Sequence, residues 1–182
     1  MVFTNPTWFE GMLVMAGYFL IPLILGIILL AVCFIKDKPI IGTTLFSVCF
    51  IVAMFGSWYL WWDNYEVPSV QSKVVTVDNW QPKAGIHTND KGMMIIDNAD
   101  QLMLITSDGE GFLNEENFLF QKFDTRDILN TMKPGGTYNI SYYGWREGFN
   151  SGFPNILSVE KVVDESNATN VSVGDYFGTK LV

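Results

Sequence analysis

The chain has 182 residues, of which 49% are hydrophobic and only 16% charged, with a formal net charge of −8. Residues 1–62 carry two basic and two acidic side chains, whereas residues 63–182 carry nine and seventeen and so hold the whole negative excess. That division excludes a single soluble domain, and the acidic balance excludes nucleic acid and anionic lipid surfaces as partners of the second part.

Gly11–Ile35 and Ile40–Trp62 contain no charged side chain. At about 1.5 Å per residue, a helix over either run exceeds the roughly 30 Å hydrocarbon core of a bilayer. The sequence therefore predicts two transmembrane helices, spanning about 11–35 and 40–62. The first is not a cleavable signal peptide, because it lacks a basic start, is too long, and is followed at once by a second span. Lys36-Asp37-Lys38-Pro39 joins the two as a tight helical hairpin. The loop has two lysines, the first ten residues have no Lys or Arg, and the twenty after the second span have only Lys73. The positive-inside rule then puts loop 36–39 in the cytoplasm, with the N-terminus and the C-terminal domain outside a two-pass cell-membrane protein. Trp8 and Phe9, together with Trp58, Tyr59, Trp61, Trp62 and Tyr65, fit an aromatic belt that anchors this outer face in the lipid bilayer.

Pro22 falls within the first span, where proline is tolerated or kinks the helix. Thr43, Ser47, Ala53 and Ser57 form two small-xxx-small pairs expected to mediate helix packing. Neither span contains an ionisable group, which argues against a proton relay, ion channel or transporter. Cys33 and Cys49 lie at different depths and are not expected to pair. The second part has no cysteine, so it has neither a disulfide nor a cysteine metal site.

Residues 63–163 are long enough for one small domain with a core. Valine-rich alternation predicts a strand over Val70–Asn79. Gly92–Asp97 and Gln101–Ser107, split by Asn98-Ala99-Asp100, read as a hairpin. Phe118–Phe123 reads as a short aromatic strand. Asp124 or Thr125 can cap a short helix reaching about Met132, stopped by Pro134-Gly135-Gly136. Thr137–Trp145 and Asn155–Val163 are the last strands. Residues 164–182 read as a loose tail with a weak strand near Tyr176–Val182. The fold class expected is thus α+β: a transmembrane hairpin followed by a mainly β, OB-like small barrel, with its helix between the third and fourth strands. Other small barrels and sandwiches fit the same order.

Tyr143-Gly144-Trp145-Arg146, followed by Phe153-Pro154-Asn155-Ile156-Leu157-Ser158-Val159-Glu160, resembles a pattern in uncharacterised, membrane-anchored small-barrel proteins of prokaryotes and their viruses. The resemblance covers these two short segments and implies a fold and a membrane anchor. No activity comes with it.

The single histidine, His87, reads as a loop residue without the second His or Cys that a metal set or a nucleophile–base pair requires. No metal and no cofactor is expected. Carboxylates pair in sequence at Asp97 and Asp100, Asp108 and Glu110, and Glu115 and Glu116. They lack EF-hand spacing and read as solvated turns. A glycosidase pair would need a defined carboxyl separation that sequence does not supply. Three Asn-x-Ser/Thr sequons, at Asn139, Asn167 and Asn170, fall in the part expected outside, in a number that chance accounts for.

Residues 142–155 are the most unusual stretch. Tyr142, Tyr143, Trp145, Phe149 and Phe153 surround Arg146, with Gly144, Gly148 and Gly152 between. In an OB-type barrel this is the loop between the fourth and fifth strands, a common ligand surface. Aromatic side chains and arginine are favoured at protein interfaces. They also serve to close a barrel end or to rest on a membrane. Tyr143, Trp145, Arg146, Phe149 and Phe153 are therefore the candidate interaction residues. The function expected is a non-enzymatic, membrane-anchored interaction protein, an accessory or structural subunit of a membrane or cell-envelope complex. Its partner would be an integral membrane protein or a second copy. The alternative is an extracytoplasmic binding module for a glycan or small envelope ligand.

Overall fold

The computed structural model describes residues 5–82, 85–88, 94–97, 102–146 and 152–170, with backbone alone for 82, 85–88 and 94–97. The chain forms two compact units, Met1–Ser69 and Val70–Val182.

The first unit is built on α1 (Trp8–Ile35) and α2 (Pro39–Trp61). Thr7 starts α1 with a capping box: its hydroxyl accepts from Glu10 N–H at 3.3 Å, and its own N–H donates to the Glu10 carboxylate at 2.8 Å. These bonds satisfy amides that the first turn leaves without helical partners. Proline opens α2, where its missing N–H costs nothing. The helix continues unbroken through Pro22. Both helices are long and apolar enough to cross a membrane.

The two helices meet through glycines. A Cβ added to Gly26 would stand 2.8 Å from Cys49 Cβ, and one added to Gly42 would stand 2.7 Å from Cys33 Cβ. Each helix thus offers a glycine to the other's cysteine, and the backbones approach where no larger residue fits. Both thiols are free. Ala53 and Ser57 are buried, whereas Thr43 and Ser47 are exposed. Their hydroxyls donate to Pro39 and Thr43 carbonyls one turn back, at 3.0 and 2.9 Å. Gly42, Cys49 and Ala53 follow the seven- and four-residue spacing of one helical face, and Thr43 and Ser47 lie off it. Trp8 and Trp58 are exposed. Trp61 packs over Gly11, whose Cβ position lies 3.1 Å from the indole ring, and stacks on Tyr65 at 4.5 Å. Trp62 lies 5.5 Å from Tyr59. A π-helical turn (Trp62–Glu66) and a 3-10 turn (Val67–Ser69) extend this unit past the residue-62 boundary read from sequence.

The second unit contains β1 (Gln71–Pro82), β2 (Gly85–Thr88), β3 (Met94–Asp97), β4 (Leu102–Thr106), β5 (Gly111–Leu113), α3 (Thr125–Thr131), β6 (Thr137–Tyr143) and β7 (Asn155–Asp164). Five strands form a mixed sheet in the order β1-β4-β5-β7-β6 that closes back on β1. The long β1 makes closure possible. Its first half, Gln71–Thr76, pairs antiparallel with β6, and its second half, from Val77, pairs with β4 across a register shift at Val77/Asn79. The β5–β7 pair is parallel and consists of one register position, Leu113 opposite Asn155. Period-two alternation turns Leu102, Leu104 and Thr106 of β4 inward. Leu102 and Leu104 meet Val75, Val77, Phe112, Tyr138, Ile140 and Ile156 in one core, with Ile128 and Met132 packed in from α3 and its C-cap. Trp80 donates its indole N–H to the Met132 carbonyl at 2.9 Å, so a large buried side chain also ends the helix.

Four sequence expectations are corrected. The hairpin across residues 98–100 does not form: β3 pairs with β2 in a separate two-stranded sheet, and β4 pairs with β1. The second half of β1 is the partner that β4 takes instead. His87, expected in a loop, lies in β2 opposite Ile95. Residues 118–123 form a turn closed by an Asn117–Lys122 bridge, and the strand in that region is the three-residue β5. The start of the expected loose tail is docked. Tyr138 donates to the Glu165 carboxylate at 2.9 Å, and Thr169 N–H donates to the Pro134 carbonyl at 2.8 Å. The strand expected near 176–182 lies outside the described residues.

Candidate functional site

Beyond β6 the chain turns at Gly144, whose φ of +80° is the left-handed conformation that suits glycine. This turn sends Trp145 and Arg146 along one wall of a cleft of about 400 Å³. Phe153 and Pro154, just before β7, complete that wall. Gly109–Phe112, Gln71 and Tyr142 line the rest. Arg146 is fixed twice: its Nη1 donates to the Gly152 carbonyl at 2.8 Å, and its guanidinium sits 3.9 Å above the Phe153 ring. Phe153 rests on Gly111, where a Cβ would fall 2.9 Å from the ring. Phe112 and Tyr142 meet edge to face at 5.1 Å at the cleft's inner end.

The opposite wall is the β4–β5 turn. Thr106, buried, bonds through its hydroxyl to the Asp108 carboxylate and accepts from Glu110 N–H at 3.0 Å. Gly109, at φ +82°, donates to the Thr106 carbonyl at 2.8 Å. Lys73 on β1 reaches across to Asp108 at 3.2 Å and Glu110 at 2.7 Å. The hydrogen bond to Glu110 is the main reason its ammonium is held above the usual lysine range. The Thr106 hydroxyl, and after it Lys73, hold Asp108 below the usual carboxylate range. Asp108 is therefore ionised at neutral pH, unlike a carboxyl tuned upward to act as a general acid. The turn read from sequence as solvated is indeed exposed, and its carboxylates also pair with Lys73. Burial raises the Tyr142 hydroxyl, and the nearby Glu110 charge adds to this.

Of the candidate interaction residues, Trp145, Arg146 and Phe153 converge here. Phe149 lies outside the described residues. Tyr143 alternates to the other side of β6, where its hydroxyl accepts from Asn117 Nδ2 at 2.8 Å and Asn155 Nδ2 at 3.0 Å, and its ring meets Phe120 at a tilt, 4.4 Å between centroids. Strand alternation could have separated Tyr142 from Tyr143. Gln71 had no local signal, since only sheet pairing brings it to the cleft, and Glu110 was read only as one of a carboxylate pair.

Tyr143 belongs to a second polar assembly, which sequence reading missed. Lys122 is only 4% exposed, and its Nζ donates to Asn114 Oδ1 at 2.9 Å and Asn155 Oδ1 at 3.2 Å. Burial pushes its pKa down to about 8, against the pull of the Asp124, Glu115 and Glu116 charges. Asn155 also accepts from Glu115 N–H and donates to the Glu115 carbonyl, both at 3.0 Å. Asn114 donates to the Thr125 carbonyl at 2.7 Å, tying the assembly to the start of α3. Among the described residues, no three His, Cys, Asp or Glu side chains converge as a metal site would require.

No protein-family profile, curated protein or solved structure matches this chain.

Proposed function

We propose that this chain is a non-enzymatic, membrane-anchored interaction protein, an accessory subunit whose β unit contacts a partner at the Trp145–Arg146–Phe153 cleft. In this reading α1 and α2 cross the bilayer, the Lys36–Pro39 loop is cytoplasmic, and both termini are outside. The β unit is an OB-type barrel. Its strand order, the parallel β5–β7 pair, and α3 between its third and fourth strands support that assignment. The cleft carries the functional reading. An arginine locked over a phenylalanine beside a tryptophan is the kind of pre-ordered anchor that protein interfaces concentrate their energy in.

The concave shape and about 400 Å³ of the cleft favour a second reading, a site for a glycan or small envelope ligand held by aromatic faces and a few polar groups. Purification in mild detergent separates the two. The first reading expects a stoichiometric membrane-protein partner that Trp145→Ala and Arg146→Ala release while the β unit stays folded. A lone monomer that binds an envelope glycan through the same residues establishes the second. Orientation is tested by labelling a cysteine placed at Ser166 from outside intact cells; labelling only after lysis inverts the topology.

A further inference from the structure

We infer that residues 114–124, between β5 and α3, form a second protein-docking surface, for a partner segment in which lysine or arginine stands beside apolar side chains. The inference rests on the reading of the chain as an interaction protein, but it uses none of the residues that line the Trp145 cleft.

Phe118 and Phe123 are 72% and 60% exposed. Their exposure does not follow from a loose loop. The Asn117–Lys122 bridge closes the turn through backbone bonds of 3.1 and 2.9 Å. Asn117 Oδ1 accepts from the Leu119 and Phe120 amides at 2.9 and 3.2 Å. The Lys122 side chain bolts the turn to Asn114 and Asn155 from inside. A segment braced this heavily, yet holding two aromatic rings in water, is pre-organised for contact, because its ordering cost is already met before a partner arrives.

Charge selects the partner. Glu115, Glu116 and Asp124 lie on the same loop, and its one cation, Lys122, is turned inward. Beside the loop lies a cavity of about 530 Å³, lined by Phe120, Phe123 and Leu157 and by the polar Gln121, Asp124, Ser158 and Lys122, whose ammonium is engaged by Asn114 and Asn155. Phe123 and Asp124, adjacent and both exposed, suit the apolar stem and charged head of a basic side chain. An anionic bilayer would be repelled by the same carboxylates. A second copy meeting this face symmetrically would set like charges against each other.

The test uses the full chain in neutral detergent micelles and three synthetic peptides of equal length, with alternating Leu/Lys, Leu/Glu and Ser/Lys. Only the Leu/Lys peptide is expected to bind saturably. Phe118→Ser with Phe123→Ser should weaken it by at least about tenfold, and Glu116→Gln with Asp124→Asn should do the same and flatten its salt dependence. Trp145→Ala should leave it unchanged, so failure of the cleft reading and failure of this one are told apart. Thermal melting checks that the phenylalanine variant stays folded; Phe118→Ser alone replaces it otherwise. The inference is overturned if the Leu/Glu or Ser/Lys peptide binds equally, or if the phenylalanine variant binds like the parent. A micellar dimer that the phenylalanine variant dissociates would assign the face to a second copy. Broadening of a fluorine label on Phe118 by paramagnetic lipid in nanodiscs would assign it to the bilayer.

Discussion

Lys122 donates to the side-chain oxygen of Asn155 at 3.2 Å, linking two residues 33 positions apart inside the β unit. A lysine ammonium so enclosed, with carboxamide oxygens as its acceptors, ties the turn after β5 to the first residue of β7. Because β5 and β7 share only one register position, this side-chain bolt does work that a backbone ladder does elsewhere in the sheet.

Asn155→Ala removes four hydrogen bonds at once, to Lys122, Tyr143 and both backbone groups of Glu115. Leaving buried donors and acceptors without partners should cost about 3 kcal/mol. Denaturation followed by amide exchange at Trp80 in the β unit should show the loss, whereas Asn170→Ala, in an exposed stretch, should be silent.

Stability should rise with pH around the lysine. The Lys122 pKa is about 8 in the folded chain, against 10.5 for an ordinary lysine, so between these values the unfolded state binds more protons. Folding is then favoured as pH increases, by on the order of 2 kcal/mol from roughly pH 7.5 to 9.5. Lys122→Met should flatten that slope. The window stops below pH 10 because burial raises Tyr138, whose effect has the opposite sign at higher pH.

The hairpin predicts a contrast between glycines. Gly42→Val puts a branched side chain where a Cβ would already stand 2.7 Å from Cys33, and should destabilise the α1–α2 packing by about 1–3 kcal/mol. Gly17→Ala meets nothing within 4 Å and should be neutral. Distance measurements between spin labels at the two helix ends, in micelles, would read the difference.

Gly135 and Gly109 share a left-handed φ, +83° and +82°. Alanine at either should cost about 1–2 kcal/mol for that conformation. At Gly135 the Cβ would also clash with the Asn167 carbonyl oxygen, so only that variant must displace the segment after β7. Gly135→Ala should accelerate amide exchange at Thr169, and Gly109→Ala should not.

What was legible in the sequence follows from range. Long uncharged runs need no tertiary context, and both helices lie where those runs are. Strands that alternate, such as β1 and β6, declared themselves by period. β5 did not, since Gly111-Phe112-Leu113 is too short to show one, and neighbouring Phe118–Phe123 is more strand-like in composition. Trp145, Arg146 and Phe153 stood out because aromatic residues, arginine and glycines crowd one segment. Lys122 could not, because nothing in its neighbours says that Asn155 will hold it out of water. The glycines of the hairpin were passed over for Thr43 and Ser47, whose spacing fits the motif but whose helical face does not.

The single Leu113–Asn155 position that closes the sheet also has a mechanical consequence. The β4–β5 pairing carries three register positions and β6–β7 seven, so the β5–β7 seam is the narrowest join in the ring. It is the clasp where the backbone ladder is shortest, and the side chains of Lys122 and Asn155 add the hold that the backbone does not supply there.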